Sequence, residues 1–180
     1  DTATPQSQAM IFISMLPYFI IFAIFNGASP VITDATAGER ERGSLEPLLI
    51  NPLPRGWVAI GKMLAAMPFA IINLVITLGG FAAIFTILPV EEIIGVQIGL
   101  SMGVVVSVFL ICLPIVFLAC AIQTLIASFT KTTKEAGTYL PFVSLIPSLP
   151  GIALAFLPVK PALWTMLIPT FGQQILINQF

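Results

Sequence analysis

The chain of 180 residues is 58% hydrophobic and only 8% charged, with a formal net charge of −1. Soluble domains carry about 25% charged residues, so this composition excludes an ordinary soluble globular protein. The near-neutral charge argues against a nucleic-acid partner, which requires a basic surface. The chain has no histidine, and its two cysteines lie too far apart along one predicted helix to act as a pair. His-based catalytic triads and the common zinc sites are therefore excluded.

Four apolar stretches are each long enough to cross a bilayer, which takes about 20 residues in a helix. They cover about residues 10–33, 64–88, 96–128 and 136–157. This pattern predicts an all-α polytopic membrane protein with four transmembrane helices, folded as one membrane domain over residues 1–180.

Prolines interrupt several of these stretches. Pro30 is expected to kink or end the first helix, and Pro68 is expected to bend the second. Three prolines fall in the fourth stretch, which is therefore expected to be irregular and packed inside protein: Pro141, Pro147 and Pro150.

The last segment, Pro158–Phe180, contains two pieces that are each too short to cross a bilayer. These pieces, Ala162–Ile168 and Thr170–Phe180, are separated by Pro169. We interpret residues 158–180 as a re-entrant or interfacial helical hairpin.

The basic residues of the loops predict the orientation of the chain, because Lys and Arg are retained on the cytoplasmic side. Six of them fall in the loops of one side and only Lys160 falls on the other, where Glu91 and Glu92 also lie. Residues 34–56 and 129–135 are therefore predicted to be cytoplasmic, and both ends of the chain external. Because an external first residue needs an earlier span or signal, we expect the chain to be a fragment that lacks a first and a last span.

The stretch Asp34–Arg55 concentrates charge between two apolar stretches. Glu39–Arg42 alternates in sign, Gly43 allows a turn, and Ser44 suits a helix N-cap. Leu45, Leu48 and Leu49 share one face, and the Pro-containing run that follows ends the helix, so a short amphipathic helix is predicted over Leu45–Ile50. A helix of under two turns is marginal alone. Local physics leaves open an ordinary interfacial loop or an element that docks on a partner.

The run GERERGSLEPLLINPLPR, followed by Gly61-Lys62, resembles the cytoplasmic loop of type-2 ATP-binding-cassette (ABC) exporter permeases, most closely the sodium-efflux (Nat-type) branch. The second cytoplasmic loop and the Pro-rich external end are also similar. The resemblance implies that the short helix is a coupling helix seated in a cleft of a separate nucleotide-binding subunit. It also implies that the four stretches are the second to fifth spans of a six-span subunit, followed by the external re-entrant hairpin.

The function implied is that of a membrane-spanning permease subunit of an ATP-driven exporter, with Na⁺ as one candidate substrate. The chain would not itself be an enzyme. It has no Walker-type Gly-rich loop, so we expect it to bind no cofactor, with ATP and Mg²⁺ held by the ATPase partner. The resemblance also implies a homodimer or pseudo-dimer of permease subunits in the bacterial inner membrane. The alternative is a membrane scaffold or assembly protein whose cytoplasmic loop docks a partner that is not an ATPase.

The residues expected to couple the chain to the ATPase belong to the charged stretch: Glu39, Arg40, Glu41, Arg42, Gly43, Ser44, Leu45, Glu46, Leu48 and Leu49. Polar residues inside the spans are candidates for a translocation path: Asn26, Ser29, Asn73, Thr77, Ser101 and Ser107. The alternative for these six is hydrogen bonding between helices, which holds a bundle together. No carboxylate lies within a span, so no metal site is predicted from the chain's own acidic residues.

Overall fold

The computed structural model describes residues 14–44, 54–87, 102–156 and 170–177. Almost all of these residues are helical, and no strand occurs among them. The predicted all-α membrane fold is confirmed. The predicted coupling helix, Leu45–Ile50, lies outside the described residues, as does the first arm of the external hairpin, Ala162–Ile168.

The described elements are helices that follow one another along the chain. They are α1 (Leu16–Thr33), a π-helical segment (Asp34–Gly38), α2 (Glu39–Glu41), α3 (Arg55–Ile87), α4 (Met102–Phe129), α5 (Thr133–Phe156) and α6 (Phe171–Ile177). Within the described ranges, α1, α3 and α4 are long and apolar enough to cross a membrane. That α5 also crosses stays a prediction.

Helix α1 is the central helix of the bundle. It packs against α3, α4 and α5 and also touches α6, while α4 contacts both α3 and α5. Its apolar side chains are buried on more than one side, as Ile20, Ile21, Ile24 and Phe25 illustrate. A helix that is apolar all round is stable in such a central position because every face meets another apolar surface.

The outer helices each bury one stripe of residues and expose the opposite face. In α3 the buried stripe has helical spacing and is formed by Met63, Ala66, Ala70, Leu74 and Leu78. Large apolar side chains on its other face are exposed, Phe69 and Ile76 among them. In a bilayer such a face meets lipid chains, so its exposure costs no hydrophobic free energy.

Helix α1 does not end at Pro30. It continues to Thr33, and the change in geometry comes at Asp34, where the π-helical segment begins. A proline inside a helix removes a single backbone hydrogen bond, and neighbouring helices make that loss tolerable in a membrane bundle.

Helix α3 likewise runs unbroken through Pro68. It begins at Arg55, nine residues before the predicted span, and its 33 residues correspond to about 50 Å.

The prediction that Pro141, Pro147 and Pro150 make the fourth stretch irregular is wrong, because α5 is a continuous helix of 24 residues. Among the described residues, protein covers one side of this helix. Its buried stripe, at every fourth residue, is Ala136, Leu140, Ser144 and Ser148, while large apolar side chains such as Phe142 and Ile146 are exposed. The helix packs along α1, and such packing makes the loss of the backbone N–H donors at the three prolines tolerable.

Helix α6 lies within the predicted second arm of the external hairpin and packs mainly on α5. Both Thr170 Oγ1 and Gln174 Nε2 donate hydrogen bonds to the carbonyl oxygen of Pro147, at 3.1 and 2.9 Å. Thr170 has φ 71°, a left-handed conformation that is strained for a β-branched residue. The two bonds to α5 hold this strained turn in place.

Helices α1 and α3 approach each other closely at Gly27. A Cβ atom built on Gly27 would lie 2.6 Å from Asn73 Cβ and 3.1 Å from Ala70 Cα. At the same crossing, Asn73 Nδ2 donates to the carbonyl oxygen of Ala23 at 2.6 Å. A glycine here therefore allows both the close packing and the interhelical hydrogen bond.

We expect Gly27→Ala to push α1 away from α3 and to lower the free energy of unfolding by about 1–3 kcal/mol, as overpacking does. Thermal or chemical unfolding in detergent micelles measures this. Gly80→Ala in α3 is the matched control, since nothing lies within 4 Å of its added Cβ. That change should be neutral or stabilise by about 1 kcal/mol through helix propensity. Equal stabilities for the two variants would contradict this packing.

Candidate functional site

The charged residues predicted to couple the chain to a partner are positioned by the end of the central helix. The π-helical segment packs against α4 and α5 and carries the chain from α1 into α2. Gly38 lies at this contact, and an added Cβ would come within 3.3 Å of Thr133 Cγ2. The lack of a side chain at Gly38 thus lets α2 lie beside the start of α5.

Glu39 connects α2 to the beginning of α3. Its Oε2 accepts a hydrogen bond from Lys62 Nζ at 2.6 Å. Only 14% of the Lys62 side chain and 33% of the Glu39 side chain are exposed, so this ion pair is better shielded from solvent than a surface pair. Lys62 is therefore a structural partner of the charged stretch.

Arg40 contacts the end of α4. Its Nη1 donates to the backbone carbonyl oxygen of Thr130 at 2.8 Å, one residue beyond the last residue of α4. The last carbonyl groups of a helix have no partner inside it and carry the negative end of the helix dipole. A guanidinium at this point satisfies an unpaired acceptor and interacts favourably with the dipole.

Glu41 contacts the start of α5. Its Oε2 accepts hydrogen bonds from the backbone N–H of Thr133 at 2.8 Å and from Thr133 Oγ1 at 2.7 Å. Glu41 lies beyond the apolar segment that ends at Thr33, and these two bonds, helped by the charge of Arg42, lower the pKa of its carboxyl group. The contact is therefore formed at neutral pH, and it is lost only in acid, as the pH falls through the lowered pKa.

Arg42 forms an ion pair within its own segment. Its Nη1 lies 2.9 Å from Asp34 Oδ1, and the two side chains are 58% and 68% exposed. The hydrogen bond to Asp34 and the attraction of that carboxylate raise the pKa of Arg42. Exposed pairs of this kind contribute little to stability.

The chain turns after Arg42 as the sequence predicts. Gly43 has φ 70°, the left-handed conformation that glycine adopts without strain at the end of a helix. The N–H and the hydroxyl of Ser44 both donate to the carbonyl oxygen of Glu39, each at 3.1 Å. These bonds close α2, and the N–H groups that Ser44 is predicted to cap lie outside the described residues.

The structure thus brings six of the ten predicted coupling residues together at one corner of the bundle, namely residues 39–44. Each of the four charged side chains among them has a partner in this chain. The other four predicted residues lie outside the described residues: Leu45, Glu46, Leu48 and Leu49.

The residues predicted to line a path are dispersed and make hydrogen bonds inside the bundle. Asn73 bonds to α1, whereas Asn26, Thr77 and Ser107 each donate to a carbonyl oxygen of their own helix. Ser29 is partly buried in α1, and Ser101 lies outside the described residues. Whether any of them lines a path stays untested.

A groove of about 200 Å³ opens between α3 and α4, and none of the described path candidates lines it. Its lining residues are Ala59, Ile60, Met63, Ala121, Thr124, Leu125 and Ser128.

Gln123 is a buried polar residue that the sequence reasoning missed. Its side chain is fully buried in α4, and Nε2 donates to the carbonyl oxygen of Phe25 in α1 at 2.8 Å. Its Oε1 has no partner among the described residues. The sequence feature that could have identified Gln123 is a single side-chain amide in the otherwise apolar run that forms α4. Thr130 and Thr133 were also missed, because they act mainly through backbone atoms, which the sequence does not distinguish.

Comparison with known proteins assigns this architecture to a family. A family model described as "ABC-2 family transporter protein" matches residues 2–174. The chain belongs to the ABC-2 family of transporter proteins.

A relative of this ABC-2 family chain is the ABC transporter permease protein NatB of Bacillus subtilis (strain 168). NatB is 32% identical to it over 151 residues, which cover 80% of this chain and 38% of NatB. The chain therefore spans about two fifths of that relative's length. No solved structure matches the chain.

The two ion pairs of this ABC-2 family protein differ in burial, so we expect them to differ in strength. A double-mutant cycle with Glu39→Gln and Lys62→Met should give a coupling of about 1.5–3 kcal/mol, the value for hydrogen bonds to charged groups. The cycle with Asp34→Asn and Arg42→Gln should give about 1 kcal/mol or less, as for exposed pairs. Unfolding in detergent provides both couplings. If they were the same, the shielding of the Glu39–Lys62 pair would have no energetic consequence.

Proposed function

We propose that this chain is the membrane-spanning part of a permease subunit in an ATP-driven exporter, and that a separate ATPase subunit docks on residues 34–56. The observation that carries the proposal is the family match, which runs over residues 2–174 and includes the charged stretch. Family membership favours a transporter over the alternative of a membrane scaffold. The similarity to a permease protein over 80% of the chain supports the same assignment.

The docking element in this proposal is the amphipathic segment Leu45–Ile50. It follows directly on Ser44, which is held by two hydrogen bonds to Glu39. It precedes Pro54, whose carbonyl oxygen accepts the N–H of Trp57 at the start of α3 at 2.9 Å. A segment held at both ends presents its leucine face to a partner with little ordering cost. The ATPase partner would hold ATP and Mg²⁺, and this chain would bind neither.

The orientation that we propose follows the loop charges. Residues 34–56 and 129–135 face the cytoplasm of a bacterial cell, where the ATPase is located, and both ends of this chain are external. Two permease subunits, identical or related, enclose the path between them.

Efflux of Na⁺ is the substrate hypothesis that the resemblance to the Nat-type branch supports. Because α1, α3 and α4 contain neither Asp nor Glu, a cation crossing among them would be bound by neutral oxygen atoms. Buried oxygen atoms without a partner in the described structure are available at Gln123 Oε1 and Thr124 Oγ1. A flux measurement with ²²Na⁺ in proteoliposomes that contain both subunits tests this substrate directly.

We expect Leu48→Asp and Glu46→Lys to reduce retention of the ATPase subunit by at least about tenfold, because Leu48→Asp places a charge in the leucine face and Glu46→Lys reverses a charge beside it. Co-purification from membranes, normalised to the amount of inserted permease, measures the retention. Glu91→Lys is the matched control, since it changes a glutamate in the loop predicted to be external and should leave retention unchanged. Normal retention in both loop variants would rule out residues 34–56 as the docking element.

A further inference from the structure

We propose that Glu39, Arg40 and Glu41 form a clamp that joins the base of the first cytoplasmic loop to α3, α4 and α5, so that a movement of this loop displaces all three helices together. The inference rests on the proposed function, since it describes how force from an ATPase partner enters the membrane. In this arrangement the three residues are positioning residues, and the partner is contacted by the segment that follows them.

The clamp is built on two helix ends of opposite polarity. Helix α4 ends at Phe129 and α5 begins at Thr133, so the negative end of one helix dipole and the positive end of the other lie three residues apart. Arg40 donates to the carbonyl oxygen beyond α4, and Glu41 accepts from the first N–H of α5. Two consecutive residues of opposite charge therefore match two consecutive helix ends of opposite charge.

The turn between α4 and α5 is already capped by its own residues. Thr132 Oγ1 accepts from the N–H of Glu135 at 3.2 Å, and Glu135 Oε2 accepts from the N–H of Lys131 at 2.8 Å. This arrangement is close to a capping box, which satisfies helix-start donors locally. The Glu41 bond is therefore not needed to start α5. What it adds is a connection between two loops that are 92 residues apart in sequence.

The third connection is the Glu39–Lys62 ion pair, which reaches α3 one residue before the buried stripe begins at Met63. With it, α2 is bonded to three helices through three consecutive side chains. A continuous set of contacts between rigid elements is one physical route by which distant sites are coupled. Without the clamp, the loop base would be joined to the bundle through its covalent links and the packing of the π-helical segment.

The Asp34–Arg42 pair is not part of the clamp, because both of its members lie in the same segment. Both also belong to residues 34–56, the proposed docking element, so a change in either does not serve as a control. Glu91→Gln, in the loop predicted to be external, is the matched control for the loss of a carboxylate.

The test uses the complete transporter, permease and ATPase, in proteoliposomes. Glu41→Ala removes the acceptor, and Thr133→Pro removes both donors, the backbone N–H and the hydroxyl, at the first helical position, where proline is well tolerated. Both variants should retain the ATPase subunit within about twofold and should lose about tenfold in permease-stimulated ATP turnover, as when an interaction made in the coupled state is removed. The double variant should be no worse than either single variant, because both remove the same two bonds. Glu91→Gln should match the unaltered protein in both measurements.

Two results would overturn the clamp. Loss of ATPase retention with normal turnover per retained complex would mean that these residues contact the partner, which leaves the proposed function intact. Normal retention and normal turnover in both variants would mean that the contact has no role in coupling. An unaltered protein that retains no ATPase at all would instead refute the proposed function.

A distance measurement tests the clamp without relying on turnover. Spin labels at Arg42→Cys and Lys134→Cys report on the two loops, while Cys112 and Cys120 are buried and a label count verifies that they remain unmodified. The distance between the labels should stay constant between the ATP-bound and nucleotide-free states. The distribution of label-to-label distances should broaden when Glu41→Ala or Thr133→Pro is added, even in the isolated permease. A change of more than about 5 Å between nucleotide states, the length of one helical turn, would show that the loops move separately and would refute the clamp.

Discussion

The end of this bundle that carries the charged stretch depends on the pairing of Arg40 and Glu41 with the ends of α4 and α5. The tight turn between these helices places unpaired carbonyl and N–H groups side by side, at the negative and positive ends of two dipoles. Each group would otherwise bond to water. A segment with alternating charge can satisfy both at once, and the bonds at 2.8 Å show that it does. The alternation of sign in Glu39–Arg42 is thus explained by the geometry of a helical hairpin.

Inside the membrane the same use of backbone groups recurs around α1. Its carbonyl oxygens at Ala23 and Phe25 accept amide hydrogen bonds from Asn73 of α3 and Gln123 of α4. No water competes for these acceptors in a bilayer, so the bonds link the helices where hydrophobic burial alone gives no net attraction. Because α1 continues through the π-helical segment into α2, the central helix and the charged segment form one continuous helical rod.

The sequence allowed the helices to be predicted, because apolar length and the cost of unpaired backbone groups in lipid leave few alternatives. The prolines were misread, since their effect depends on neighbouring helices that the local sequence does not contain. The charge pattern indicated pairing but not its partners. Thr130 and Thr133 lie about 90 residues from the charges that bind them, and they contribute backbone atoms that any residue would carry. Gln123 could have been found as a lone amide in an apolar run, whereas its acceptor on α1 could not.

The fixed ends of the loop between α2 and α3 bear on how a short helix could serve a partner. An isolated helix of two turns is unstable in water because its nucleation costs more than its few bonds return. Here the chain enters the loop from Ser44, bonded to Glu39, and leaves it at Pro54, bonded to Trp57. Holding both ends lowers the entropy that the loop loses when it orders on a surface. The Glu39–Lys62 pair also bonds the helix before the loop to the helix after it, so a partner docking on the proposed coupling segment would meet flanking helices that are already held together.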